Sequence, residues 1–285
     1  CYVFQLHTTG MELLREVIIN SLRTFHQSIS SDSCTIVERS DLDVRRQEGL
    51  HTQPIEVHHG EVSAPILFQE DGITFSANVL KGQKTGFFLD QRDARIRLQS
   101  YAKGKRVMNL FGYTGAFSLH AAKAGAAFVN TVDISHVALE IAEQQFVQNG
   151  YHTNNEEKIS FLEADVFDLM EEKTLPQGPY DILICDPPAL TKDARHLPQA
   201  IKAYTYLNER CLDHLQPGGI LVTSSCSGRL TPEDFRSLLR IAAGRAKRDI
   251  RLLDWITQPI DHAERLAFPE GRYLKTAFVE VTGTL

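Results

Sequence analysis

From about residue 105 onward the chain alternates short apolar runs with longer amphipathic ones, and this alternation constrains its fold more than any other feature. RVMNLF (106–111), FVNTVD (128–133), ISFLEAD (159–165), YDILICDPP (180–188) and ILVTSSC (220–226) read as buried strands. AFSLHAAKAG (116–125), HVALEIAEQQFVQNG (136–150), a segment over about 198–215 and PEDFRSLLRIAAGRAK (232–247) read as the helices that separate them. IRLLDWI (250–256) and LKTAFVEVT (274–282) add two final strands. The pattern predicts a doubly wound, mostly parallel seven-stranded α/β sheet with helices on both faces. The first 80 residues follow a different rule. MELLREVIINSLRTF (11–25) has helical spacing, CTIVER (34–39) reads as a strand, and residues 66–80 read as a hairpin turned at EDG (70–72). We therefore expect a small α/β accessory domain over 1–80 and a larger domain over 81–285.

Composition narrows the class. The chain has 285 residues, and a hydrophobic fraction of 42% supports an ordinary core. No apolar run is long enough to span a bilayer. The chain starts at Cys1 with no basic-then-apolar leader, which reads as a truncated or processed chain. The five cysteines are odd in number, scattered and free of CxxC spacing. They fit a reducing cytoplasm and give no reason to expect a metal site. His58 and His59 lack the spacing of metal ligands and read as a loop feature. A net charge of −6 argues mildly against a nucleic-acid partner. Two local runs argue the other way: residues 81–106 and 229–251 are rich in Lys and Arg and can track phosphates. Either run alone also suits a solvated helix face.

Ligands of open α/β sheets bind beyond the carboxyl ends of the strands, so the residues there carry the functional reading. FGYTG (111–115) follows the first strand of the large domain and brings Phe111, Tyr113, Thr114 and Gly115 close to a ligand. It is not GxGxxG, so a pyrophosphate cradle and an NAD-dependent oxidoreductase are disfavoured. Asp133 ends the second strand, 18 residues beyond Gly115, the place of an acid that grips a ribose diol. Asp165 ends the third strand beside Val166 and Phe167, an acid to accept from an adenine amine and apolar groups to cover the ring. Each acid alone is more often a cap or turn former; successive strands all ending this way are not. A ribose and an adenine without a pyrophosphate site point to S-adenosylmethionine. The expected cofactor set is Phe111, Tyr113, Thr114, Gly115, Asp133, Ser135, Asp165, Val166 and Asp186.

The fourth strand closes with CDPPAL (185–190), where Pro187 and Pro188 stiffen the backbone after Asp186. Such an acidic edge can hold the Watson–Crick side of a base. The fifth strand ends by presenting Cys226 in TSSCSG (223–228). A free cysteine is often a small core residue, but at the end of a strand it is also placed to be a nucleophile.

GQKTGFFLDQRDAR (82–95), NLFGYTGAFS (109–118), VDIS (132–135), DPP (186–188), SCSG (225–228) and FPEGRYLK (268–275) closely resemble the bacterial large-subunit rRNA cytosine-C5 methyltransferases of the RlmI type. The likeness runs in order from about residue 36 to the end, and its longest string is its most specific. It implies a class I (Rossmann-like) methyltransferase fold, S-adenosylmethionine as methyl donor and large-subunit rRNA as partner, with no membrane and with a homodimer left open. Family members usually carry an N-terminal PUA domain, which this chain does not show. The family's DPP is usually followed by Lys-Phe, where this chain has Ala189-Leu190. A sibling group that methylates guanine has asparagine in place of Cys226, so the resemblance assigns the choice of cytosine to that thiol.

The chemistry expected is attack of the Cys226 thiolate on carbon 6, methylation at carbon 5, loss of the carbon 5 proton and β-elimination of the thiol. Asp186 is expected to hold N3 and the amino group of the base. Cys185 is the rival nucleophile, but neighbours in a strand face opposite ways, which puts it in a helix-facing layer. Lys84, Asp90, Gln91 and Arg92 are expected to border the cofactor or the flipped nucleotide, with Lys84, Arg92, Pro187 and Pro188 on the substrate side. At least one of Phe87 and Phe88 reads as core. The competing classes are methylation of another base, such as a guanine nitrogen, and a non-catalytic RNA-binding factor on the same fold.

Overall fold

The computed structural model describes the chain except for residues 63–64, 83–84, 154–156, 192–193, 269–270 and 285. The chain divides into two compact units, Cys1–Glu70 with Thr74–Phe88, and Asp71–Ile73 with Leu89–Leu285.

The smaller unit begins with β1 (Tyr2–Phe4) and a helix that breaks in two, α1 (Thr9–Glu12) and α2 (Arg15–Ile29). β1 pairs parallel with β2 (Ile36–Glu38), and β2 pairs antiparallel with β3 (Glu56–His59). Ile19 of α2 packs on Cys34 and Ile36, so the helical spacing finds its apolar partner in β2. His58 and His59 lie in β3 rather than in a loop, and the His58 ring sits 2.8 Å from a Glu38 carboxylate oxygen. β4 (Ile66–Glu70) and β5 (Ile73–Ala77) form the expected hairpin. Its turn, Asp71-Gly72, has positive φ at both residues (48° and 71°), the backbone that a two-residue hairpin turn demands. Phe87 is buried and packs its ring 4.9 Å from both Phe68 and Phe75, which confirms the core reading for one member of the Phe pair. The glycines of the GQKTG string are a matter of space. A Cβ on Gly82 would lie 2.6 Å from the Asn78 carbonyl oxygen and from the Gly86 Cα.

The larger unit contains α3 (Arg92–Ala102), β6 (Arg106–Leu110), α4 (Ala116–Lys123), β7 (Phe128–Asp133), α5 (His136–Gln148), β8 (Ile159–Glu163), the single turn α6 (Val166–Leu169), β9 (Ile182–Cys185), α7 (Leu197–His214), β10 (Ile220–Ser225), α8 (Pro232–Arg245), β11 (Arg248–Ile256) and β12 (Lys275–Thr284). Its seven strands lie in the order β11-β12-β10-β9-β6-β7-β8. β10, β9, β6, β7 and β8 are mutually parallel, and β12 runs antiparallel to both of its neighbours. The boundaries follow local chemistry. α8 starts at a reciprocal cap between Thr231 and Asp234 with Pro232 in its first turn. β6 to β10 are mostly buried, with apolar residues predominating over a few buried polar ones such as Asn109, Asn130 and Thr223, because helices cover both faces, and Leu183, Leu207, Leu212 and Leu221 are fully buried in one core cluster. Among the described residues no helix is long and apolar enough to cross a membrane.

Two features of this topology position the site. The chain leaves β6 toward β7 and β8, then returns to lay β9 on the other side of β6, which makes a crevice at the carboxyl ends of β6 and β9. The reversed β12 brings its first residue to that same edge, because Lys275 pairs with Ser225, the last residue of β10.

Candidate active site

The turn after β6 is strained in a specific way. Phe111 and Tyr113 both have positive φ, 56° and 46°, beside Gly115 at 78°. For bulky residues that conformation costs about 1–3 kcal/mol each, and it persists where the surroundings enforce it. Here the enforcing contacts come from β7 and α5. The Asp133 carboxylate accepts from the Tyr113 backbone N–H at 2.8 Å and from the Ser135 N–H at 2.9 Å. The Thr114 carbonyl accepts from the buried Gln145 amide at 2.8 Å. Gly112 admits no side chain, since a Cβ there would sit 2.6 Å from Thr131 Cγ2. Ser135 caps α5 through the Ala138 N–H.

Asp133 is half-buried, with each oxygen already oriented by one backbone donor and lone pairs left for a vicinal diol. Asp165 is exposed and caps α6, one oxygen accepting from the Phe167 N–H at 2.7 Å. Beside it Val166 is buried, and the Phe111 and Phe167 rings meet edge-on at 6.2 Å. A diol acceptor, an amine acceptor and apolar ring edges around one crevice suit an adenosyl group.

Across the crevice Asp186 follows the last residue of β9. Its carboxylate is half-buried and accepts from the Gln91 side-chain amide at 2.8 Å. Burial raises its pKa, repulsion from Asp90 raises it further, and Arg95, Gln91 and Ser224 pull against them; the balance is pushed up to about 7. Asp90 in turn accepts from the Tyr273 hydroxyl at 2.7 Å. The Thr276 hydroxyl reaches the Gln91 carbonyl at 3.3 Å and lies 2.9 Å from Ser224 Oγ. Pro187 is buried and Pro188 exposed.

Cys226 lies one residue past the end of β10 and is half-buried and reduced. Tyr204, Tyr273 and Lys275 interact electrostatically with it. Cys185 faces the other way, as the alternation of the strand requires. It is 1% exposed in the core cluster, and a hydrogen bond with the Cys211 thiol, together with burial, drives its pKa well up.

Of the substrate-side candidates, Lys84 lies outside the described residues. Arg92 is engaged: its guanidinium donates to Asp261 at 2.6 Å and to Asp93 at 3.4 Å. Gln91 and Asp90 join the Asp186 network directly and through its charge. Arg95, Ser224, Tyr273, Lys275 and Thr276 were not singled out by the sequence. Tyr273 and Lys275 stand in FPEGRYLK, but nothing in that string shows that β12 runs backward to the site.

A sheet of this order, with an acid at the ends of β7, β8 and β9 around a glycine turn, defines a class I S-adenosylmethionine-dependent methyltransferase. Residues 32–261 match the family model described as S-adenosylmethionine-dependent methyltransferase. The chain belongs to that family, in the branch whose curated members are named Ribosomal RNA large subunit methyltransferase I. The relative of that name from Shewanella frigidimarina is 39% identical over 274 residues, 96% of this chain and 67% of its own length. A protein described as a SAM-dependent methyltransferase from Streptococcus mutans superposes with a TM-score of 0.81 at 26% identity, over 99% of this chain and 70% of its own. The structure of the methyltransferase SMU.776 complexed with SAH matches with the same figures. The chain thus spans about two thirds of the length of these relatives, and S-adenosylmethionine is its methyl donor.

Proposed function

We propose that the protein forms 5-methylcytosine in large-subunit ribosomal RNA, with Cys226 as the nucleophile. The observation that carries this reading is the half-buried, free thiol just beyond β10, the strand paired with β9, which Asp186 follows. The relatives' name supports the RNA class. When bound, S-adenosylmethionine supplies an electrophilic methyl group. The chain's own residues do the rest. The Cys226 thiolate adds to carbon 6, and the ring's electron pair moves to carbon 5. Asp186, near half-protonated at neutral pH, gives its proton to N3 and accepts from the amino group, so negative charge does not build up on the ring. After methylation a base removes the carbon 5 proton, and the thiolate leaves by β-elimination.

RNA carrying 5-fluorocytosine has no carbon 5 proton to lose, so the adduct should persist as a denaturant-stable complex with the wild type and be absent with Cys226→Ala. Continued methylation with no adduct, for example at a guanine nitrogen, would overturn the reading. So would a protein without cofactor affinity.

On the cofactor side, Asp133 holds the ribose diol, and Asp165 with Val166 and Phe111 receives the adenine. Asp133→Ala should weaken S-adenosylmethionine binding by at least about tenfold, the worth of a charged hydrogen bond, and calorimetry measures it. The basic segment around α3 follows the RNA backbone, and the smaller unit assists recognition. Arg92→Ala should leave Tm nearly unchanged, since a partly exposed ion pair contributes at most about 1 kcal/mol. It should weaken RNA binding and lower the salt slope of affinity by about one. A lowered Tm with unchanged RNA affinity would make Arg92 purely structural.

A further inference from the structure

Lys275 is only 1% exposed. Its Nζ donates to the Ser227 carbonyl at 2.8 Å and to the Leu230 carbonyl at 2.7 Å. Both carbonyls belong to the turn that follows Cys226, which closes through the Leu230 N–H to Ser227 O at 3.1 Å. Two carbonyls solvate an ammonium but do not neutralise it, and a buried charge without a counter-charge is costly. Among the described residues Lys275 forms no ion pair with a carboxylate, and Cys226 is the group whose charge favours its protonated form. Other titratable groups interact electrostatically with the thiol: Tyr204 from α7, whose hydroxyl lies 3.3 Å from Ser227 Oγ, and Tyr273, just ahead of β12. Burial raises both phenols, so they stay neutral at working pH.

We infer that Lys275 is a positioning residue whose ammonium is the counter-charge of the Cys226 thiolate and whose two carbonyl bonds fix the turn that carries it. Burial brings the Lys275 pKa down to about 8, opposed by the attraction of Cys226. A cation beside a thiol favours the thiolate, the form that attacks and leaves. The purpose of the pair, though not its existence, rests on the nucleophile reading given above.

The test uses neither RNA nor cofactor. Cys226 in the ligand-free protein is alkylated with iodoacetamide across a range of pH, and its peptide is quantified by mass spectrometry. Lys275→Met should react about tenfold more slowly than wild type at pH 7, with the profile displaced to higher pH and the two rates converging at alkaline pH. Unchanged rates, or slowing by one factor at every pH, would overturn the inference, because a structural defect does not titrate. Should Lys275→Met fail to fold, Cys226→Ala tests the same pair from the other side. It leaves the buried ammonium without its counter-charge, so its Tm deficit against wild type should be larger at pH 7.5 than at pH 9.5. A deficit independent of pH would overturn the pairing. A displaced alkylation profile alongside a Cys226→Ala protein that still methylates RNA would support the pair while defeating the nucleophile reading.

Discussion

Cys226→Ala and Cys226→Ser are each expected to abolish methyl transfer, by a factor on the order of 10³ or more, while calorimetry shows S-adenosylmethionine binding as in the wild type. The loss is large because, in the proposed mechanism, the thiol makes and breaks a covalent bond that the reaction cannot avoid. Cofactor binding survives because the residues suited to the adenosyl group lie at the ends of β6, β7 and β8, on other strands. Cys185→Ala gives the contrasting result. Its sulfur is enclosed with Cys211 between β9 and α7, so the variant should lose a few degrees of Tm and keep most of its activity. A single-turnover assay in which Cys185→Ala is inactive and Cys226→Ala is active would reverse the assignment of the two thiols.

Asp186→Asn is expected to lower transfer by about 10²- to 10³-fold, the range for removal of a general acid, and to make the folded protein more stable above neutral pH. The sign follows from the carboxyl's shift from its ordinary 3.8 to about 7. Between those values the folded chain keeps a proton that the unfolded chain has released, so this group's contribution to stability falls as pH rises from about 4 to about 7 and is fully adverse above that. Asparagine carries no such penalty, so Tm should rise relative to wild type at pH 8 and show no gain at pH 4. Each kcal/mol relieved corresponds to about 2–4 °C in a domain of this size. On the role proposed for Asp186, the wild-type rate should have an alkaline limb near pH 7, where the carboxyl loses the proton meant for N3, and that limb should be missing from the residual activity of the variant. An alkaline limb retained in Asp186→Asn would assign it to another group. A lower Tm at pH 8 would show that the Gln91 and Ser224 bonds outweigh the burial of the charge.

Local patterning was enough to place every strand of the larger sheet within a few residues. The central parallel strands are short, mostly apolar runs, and most are ended by a glycine turn, a proline pair or a capping residue. It also placed the groups that follow the parallel strands, Asp133, Asp165, Asp186 and Cys226, because in a parallel sheet the end of each strand points to the same edge. The N-terminal helix, read as one piece, breaks between Glu12 and Arg15, and the histidine pair joins a strand through a Glu38 contact that is distant in sequence.

By itself, then, the sequence determined a doubly wound sheet, the residues that reach its carboxyl edge, and which of two cysteines faces outward; all of these depend on period and on neighbours in the chain. Only the tertiary structure decided what surrounds the reactive groups. Gln91 meets Asp186 across 95 residues, and Tyr273 meets Asp90 across 183. Lys275 arrives opposite Ser225, at the turn that carries Cys226, because β12 runs opposite to the parallel strands, so that its first residue, not its last, lies at that edge. Charge state depends on distance and burial in three dimensions, and neither quantity is carried by the order of residues along the chain.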